Sequence, residues 1–306
     1  MIEIKKYIVD DKLFNVASNI AEQLNQQGYI VGGFVRDLIL KRERSDIDFL
    51  VVGDGLQFAA KLAKELNVKD VQTFKNFGTA HFVYNNFDLE FVGARKESYN
   101  RESRKPVVED GTFNDDISRR DFTINTVAVS INKSNFGEVI DKFGGINDIE
   151  NKIIKTPLDP LITFDDDPLR IMRAFRFASQ LNFEVEGMLI IAAEKMADRL
   201  SIVSQERITD EFLKILSSPT PSIGLKLLYN SGVMKVIFPE ISILGGVEQI
   251  NEHHHKDVFL HTCKVVDNIS QNTNNVWLRF AALVHDIAKP HTKKFVEGTG
   301  WTFHAH

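Results

Sequence analysis

Residues 28–52, GYIVGGFVRDLILKRERSDIDFLVV, constrain the fold more than any other part of the chain. Tyr29 to Val31 reads as a strand that Gly32 and Gly33 end. A helical run, Phe34 to Leu40, begins at once, and Asp46-Ile47-Asp48 then opens a second apolar strand. Side chains on a strand alternate, so the carboxylates of Asp46 and Asp48 point the same way. Two hard oxygen ligands on one face are what a pair of Mg²⁺ ions needs to clamp the attacking and leaving oxygens of an in-line phosphoryl displacement. Just upstream, the unpaired N–H groups and positive end of the helix after Gly32-Gly33 suit a triphosphate. Arg36 adds a fixed charge in that first turn.

Taken singly, an Asp-x-Asp is a solvated strand end and a Gly-Gly is a turn. Together, in this order, they resemble the signature of the nucleotidyltransferase superfamily headed by DNA polymerase beta. The fuller wording Gly32-Gly33-Phe34-Val35-Arg36-Asp37 followed by Asp46-Ile47-Asp48 resembles the class II tRNA nucleotidyltransferase and poly(A) polymerase family of bacteria. That resemblance implies Asp46 and Asp48 as catalytic metal ligands, with Gly32, Gly33 and Arg36 holding the triphosphate.

A chain of 306 residues exceeds one compact core of ordinary size. The expected fold is α+β: a nucleotidyltransferase head with a mixed sheet over 1–145, an all-helical neck over 146–245 and a further, partial helical domain over 246–306. Hydrophobic residues at 43% and charged residues at 26% describe a globular protein, and no segment has the length and apolarity of a membrane span. A cytoplasmic location is expected. Cys263 stands alone, which excludes an internal disulfide. Net charge is −5, yet basic residues gather locally from Arg95 to Lys105, a run that reads as a loop or as an RNA contact.

Beyond Asp48 the head alternates helix and strand signals: a helix over Leu56 to Leu66, then strands at Val68 to Phe74, His81 to Tyr84 and Phe87 to Val92, the last two joined by Asn85-Asn86. Asp88 and Glu90 face away from Leu89 and Phe91, so either could join Asp46 and Asp48, and position along the family pattern implies Glu90 as the candidate third carboxylate. Residues 93–118 read as a loop. A helix is expected over Arg119 to Val129 with Ser118 as its N-cap. Its start, Arg-Arg-Asp-Phe-Thr-Ile-Asn, is similar to the family's second motif, which implies that Arg119, Arg120, Asp121 and Asn125 recognise ribose and triphosphate. Arginine forks suit phosphate oxygens, and an aspartate accepts from a sugar hydroxyl.

From Pro160 onward strand signals vanish and helices follow at Pro168 to Leu181, Gly187 to Asp198, Gln205 to Leu216 and Ser222 to Asn230. Three aspartates before Pro168 suit the positive end of the next helix. Asp167 and Arg170 are neighbours on one face, an ordinary exposed ion pair by spacing alone. The stretch resembles the family's acidic-Asp-x-x-Arg motif, with Asp166 where Glu is usual, and this implies that Asp167 and Arg170 pair with the edge of the incoming base. Arg173 and Arg176 continue a basic face toward the nucleotide. Glu206 and Arg207 match a further motif that implies an internal brace.

Near the end, His261 lies on one amphipathic helix and adjacent His285 and Asp286 on another, a pattern similar to the HD phosphohydrolase superfamily and able to take a second divalent metal. His304 and His306 are possible further ligands, the run at 253–255 reads as a polar loop, and the HD unit reads as cut short. The family resemblance implies CCA addition to tRNA from CTP and ATP with two Mg²⁺ ions. Alternatives within the class are poly(A) polymerase and A-only or CC-only enzymes; outside it, an HD phosphohydrolase. Oligomeric state is not legible.

Overall fold

The computed structural model describes residues 2–43, 45–74, 78–100, 103–251, 254–297 and 300–303. The chain divides into two compact units, Met1–Asp159 and Pro160–His306.

The N-terminal unit is built on a seven-stranded mixed sheet. Its strands are β1 (Gln27–Val31), β2 (Asp46–Val52), β3 (Gln72–Phe74), β4 (Thr79–Tyr84), β5 (Phe87–Gly93), β8 (Ala128–Ser130) and β9 (Val139–Ile140), in the order β3-β4-β5-β2-β1-β8-β9. β2 runs parallel to β5 and antiparallel to β1. Two further strands, β6 (Arg95–Asn100) and β7 (Ser103–Asp110), form a hairpin of their own, and a two-residue strand lies at Ile153–Ile154. Helices α1 (Ile2–Asp10), α2 (Lys12–Leu24), α3 (Gly33–Ile39), α4 (Gly55–Glu65), α5 (Phe113–Ser118) and α6 (Gly145–Glu150) complete the unit. Asp11 caps α2 by accepting from Leu13 N at 2.7 Å, and Asp54 caps α4 by accepting from Gln57 N at 3.0 Å. One sheet face carries the main core. Phe49 stacks on Phe91 at 4.9 Å and Phe82 on Phe91 at 5.1 Å, and Phe58 of α4 lies over the first two. Strand alternation sends Asp46, Asp48 and Leu50 to the other face. There Leu50, Tyr29 and Val31 join Phe113 and Ile117 of α5 in a second apolar cluster.

Two expectations for this unit fail. Residues 93–118 are the β6–β7 hairpin and α5, not a loop. The expected helix over Arg119 to Val129 is absent: Arg119 is the C-cap of α5, Thr123–Asn125 is a single 3₁₀ turn and Ala128–Ser130 is a strand. A capping box at Thr112, whose hydroxyl accepts from Asp115 N while the Asp115 carboxylate accepts from Thr112 N, starts the helix six residues earlier than Ser118 would. Backbone pairing of Tyr29–Val31 with Ala128–Ser130 then outweighs the helical spacing of Phe122 and Val129. The strand expected from Val68 is shorter, starting at Gln72.

The C-terminal unit is mainly helical: α7 (Pro160–Asp166), α8 (Leu169–Leu181), α9 (Gly187–Met196), α10 (Gln205–Leu216), α11 (Pro221–Asn230), α12 (Val233–Ile237), α13 (Pro239–Ser242), α14 (Val258–Ser270), α15 (Val276–Val284) and α16 (Lys289–Thr292). The expected helices appear at nearly the expected bounds, except that a 3₁₀ segment, Ala197–Ile202, follows α9. Of the aspartates before Pro168, Asp165 and Asp166 end α7, and Asp167 alone stands ahead of the next helix, as expected, accepting from Leu169 N. Short strands also occur, at Glu184–Val185, in the pair Glu248–Asn251 with His254–Asp257, and in the pair Lys294–Val296 with Gly300–Thr302. His254 and His255 therefore lie in a strand rather than the expected polar loop, while His253 is outside the described residues.

α8 is the hub, with α10 and α11 packed on it. A Cβ on Gly224 would lie 2.5 Å from Ser179 Oγ and 3.1 Å from the Phe175 carbonyl, so the α8–α11 crossing requires glycine. Arg279 of α15 is buried and donates to the carbonyls of Leu216, Ser218, Ser270 and Thr273 at 2.8–3.0 Å. Those carbonyls close the C-terminal ends of α10 and α14, where a cation is favoured. Among the described residues no helix is long and apolar enough to cross a membrane.

Candidate active site

Strand alternation and sheet register build the first part of the site. Asp48 lies opposite Val31 on β1 and opposite Glu90 on β5, and Asp46 lies opposite Asp88. Asp46, Asp48, Asp88 and Glu90 therefore share one face, as expected for Glu90. Gly32 is the N-cap of α3 at φ 77°, and a Cβ there would sit 2.8 Å from Asp48 Oδ2 and 3.2 Å from Arg120 Nη1. Only glycine lets the turn approach the carboxylate so closely. Burial pushes the Asp48 carboxyl up to about 6; the Glu90 and Asp46 charges push the same way, against the pull of Arg120 and Arg36. A row of like-charged hard oxygen donors, one of them driven toward protonation, fits a divalent cation. The oxygens of Asp46, Asp48 and Glu90 are not gathered within 4.8 Å of one another, however.

Arg36 is expected at the triphosphate, and the structure also gives it internal partners. Its guanidinium donates to Asp37 at 3.0 and 2.8 Å and to Asn125 Oδ1 at 2.8 Å. Asn125 Nδ2 donates in turn to Asp121 Oδ1 at 3.1 Å, which also accepts from Phe122 N at 2.8 Å. Arg36, Asp121 and Asn125 are all buried. A Thr123 hydroxyl bond to Asp148 at 2.6 Å holds the turn between them against α6. The Gly-Gly helix and the Arg119–Asn125 segment are thereby one polar network.

Sequence reasoning missed Asp116. Its carboxylate is fully buried and bridges Arg119 at 2.5 Å and Arg120 at 3.2 Å. The signal was present: Asp116 precedes the two arginines by three and four residues, which is one helical turn.

In the C-terminal unit, Asp167 Oδ1 accepts from Leu169 N at 3.1 Å, at the first residue of α8, and Oδ2 pairs with Arg207 at 3.0 Å. Arg170 follows half-buried one turn later. Arg176 turns inward: its Nε pairs at 2.7 Å with the buried Glu211, and its guanidinium lies 4.2 Å from the Phe177 ring, with Arg173 at 5.7 Å from the same ring. Glu206, expected as an internal brace, is exposed; Glu211 fills the internal position because it faces α8 from one turn further along α10.

The ligand atoms of His261, His285 and Asp286 lie within 4.8 Å of one another. His285 Nδ1 is 2.7 Å from the Ala282 carbonyl, which fixes Nδ1–H as donor and leaves Nε2, 3.1 Å from Asp286 Oδ2, as the ligand atom. Lys289 shares the same Asp286 oxygen at 2.7 Å. His304 and His306 lie outside the described residues.

Known proteins resemble this chain in sequence and in fold. The Poly A polymerase head domain model matches residues 28–155, and the model of the probable RNA and SrmB-binding site of polymerase A matches 182–244. A multifunctional CCA protein of Shewanella frigidimarina is 33% identical over 272 residues, covering 87% of this chain and 63% of the relative. A solved tRNA nucleotidyltransferase, complexed with a primer tRNA and an incoming ATP analogue, superposes with a TM-score of 0.70 at 31% identity, covering 88% of this chain and 75% of that one. The chain belongs to the class II tRNA nucleotidyltransferase family. An A-adding tRNA nucleotidyltransferase of Aquifex aeolicus is 41% identical over 201 residues, 62% of this chain, and the chain spans 24% of that relative's length. Within the family match, the head model spans Gly32, Asp48, Glu90 and Asn125, and the second model spans Arg207 and Glu211. His261, His285 and Asp286 lie beyond both.

Proposed function

We propose that the chain is a template-independent nucleotidyltransferase that adds CCA to tRNA 3′ ends from CTP and ATP, working in the cytoplasm. The observation that carries the reading is the approach of the Gly32 turn and the Arg120 guanidinium to the Asp48 carboxylate. One small volume then offers an anionic face, a tight turn and a fixed cation, as a nucleoside triphosphate needs.

In the reaction the RNA 3′ oxygen bonds to the α-phosphorus, the bond to pyrophosphate breaks and the hydroxyl proton is lost. Asp46 and Asp48, with Glu90 as third candidate, would hold two Mg²⁺ ions, which when bound supply charge that acidifies the hydroxyl and neutralises the leaving group. Arg119 and Arg120 bind phosphate oxygens. Asp121 and Asn125, braced by Arg36, present acceptors and donors to the ribose. Asp167 and Arg170 read the base edge: a carboxylate accepts from an exocyclic amine, and a guanidinium donates to ring nitrogen and carbonyl. Arg207 holds the Asp167 carboxylate in one orientation. Replacing Arg170 with Ala should lower discrimination against UTP and GTP by roughly one to a few kcal/mol; unchanged selectivity in an active variant rejects the base-reading pair.

A second reading, addition of A alone, is favoured by the 41% identity to the A-adding relative. Incubating the protein with tRNA lacking its end, or ending in CC, with CTP and ATP singly and together separates the readings. Extension of only the CC-ended tRNA, and only by ATP, selects A addition. His261, His285 and Asp286 would hold a further divalent ion, and phosphatase activity with added metal but no nucleotide addition would promote an HD phosphohydrolase in place of both.

A further inference from the structure

We infer that Asp116 is the positioning residue of the polyphosphate site, holding Arg119 and Arg120 as a rigid cationic pair; the inference rests on the nucleotidyl-transfer reading above. Each oxygen of its carboxylate takes one guanidinium, at 2.5 and 3.2 Å, while the carboxylate itself has no solvent exposure. Two arginines share this one buried carboxylate, and their side chains remain 22% and 21% exposed. Asp116 thus fixes both guanidiniums at the edge of the site, where the reading above gives them phosphate oxygens to bind.

The anchor is rigid for reasons visible in the local structure. Asp116 follows directly on the capping box of Thr112 and Asp115. The helix residues on either side, Phe113 and Ile117, are locked in the apolar cluster with Tyr29 and Leu50, Tyr29 and Phe113 having ring centres 4.1 Å apart. From this anchor Arg120 reaches the Asn125 carbonyl at 3.4 Å and the Gly32 turn. Fixing the two guanidiniums before a ligand arrives removes the side-chain ordering that binding would otherwise cost.

The test is calorimetric binding of inorganic tripolyphosphate in metal-free buffer, together with steady-state kinetics for ATP. Removing a carboxylate beside a polyanion site tightens binding if charge alone matters. If Asp116 positions the arginines, D116N instead weakens tripolyphosphate binding about tenfold or more, the loss expected when a charge-assisted hydrogen bond no longer orients its partner. KM for ATP should rise more than kcat falls. D116E keeps the buried charge but displaces the fork by one methylene; it should bind several-fold more weakly while melting near the parent temperature, and it decides the matter if D116N does not fold. Parent-like or tighter binding by either folded variant, with the parent itself binding, overturns the positioning role and leaves the nucleotidyl-transfer reading standing. Absence of tripolyphosphate and ATP binding in the parent sinks both.

Discussion

The acidic groups of the head and of the C-terminal unit answer the same electrostatic problem differently. In the head, Asp46, Asp48, Asp88 and Glu90 are set side by side by strand register, and Asp48 is pushed up to about 6 although Arg120 and Arg36 oppose the shift. Asp286 in the C-terminal unit is more deeply buried, yet Lys289 lies 2.7 Å away and His285 at 3.1 Å. Like charges on neighbouring strands leave a site that, on the reading proposed above, a dication would complete. A carboxylate paired with an internal ammonium is balanced already, so a metal there must compete with a lysine. The lesson is that tight ligand geometry and electrostatic demand for a metal are separate properties, found here in different units.

The largest expected effect breaks the comparison at the head. Asp48→Asn, and likewise Asp46→Asn, should lower nucleotide addition by orders of magnitude with the fold intact, because a lost anionic ligand weakens ions that contribute several kcal/mol to the transition state. Primer-extension assays on folded variants check this, and near-native turnover would remove these residues from the reaction.

Next in size is Lys289→Met. Leaving the buried Asp286 without its nearest cation should destabilise the protein by about 3–5 kcal/mol. Added divalent metal should then recover more of the melting temperature in the variant than it adds to the parent. Equal metal responses would mean that Lys289 and a metal do not contend for the same carboxylate.

A smaller, pH-dependent effect sharpens the contrast. A folded-state carboxyl near 6 against an unfolded value near 3.8 means the native state binds its proton more tightly. The resulting cost is fully present above about pH 6, shrinks as pH falls toward 4 and is gone below both values. In metal-free buffer Asp48→Asn should therefore be more stable than the parent at pH 8, by about 1–3 kcal/mol, and the difference should close by about pH 4. Thermal melts with a chelator across that range measure it; a variant less stable than the parent at pH 8 contradicts the shift.

What was legible in the sequence follows from local rules. Asp46 and Asp48 share a face because a strand alternates, and α10 spans the Gln205 to Leu216 that the sequence leads one to expect. The same local rule misled at Arg119 to Val129, where Phe122 and Val129 have helical spacing but the segment instead supplies a strand to β1. Glu206 misled similarly, since a motif position does not say which side chain of a helix turns inward. Asp116 was readable by spacing, and the expected loop concealed it.

By itself the sequence determined the short-range chemistry: the glycine turn, the paired aspartates, the two arginines and the helix starts, all set by backbone dihedral preference, side-chain period and capping over a few residues. Only the tertiary structure decided which distant groups meet. The parallel register of β2 and β5 puts Glu90 beside Asp48, helix packing brings Arg176 to Glu211 and Arg207 to Asp167, and the turn after α15 brings His285 to His261 on α14. Those partners are selected by burial and by the need to pair buried charges and backbone groups, and such demands arise only once the chain has closed on itself.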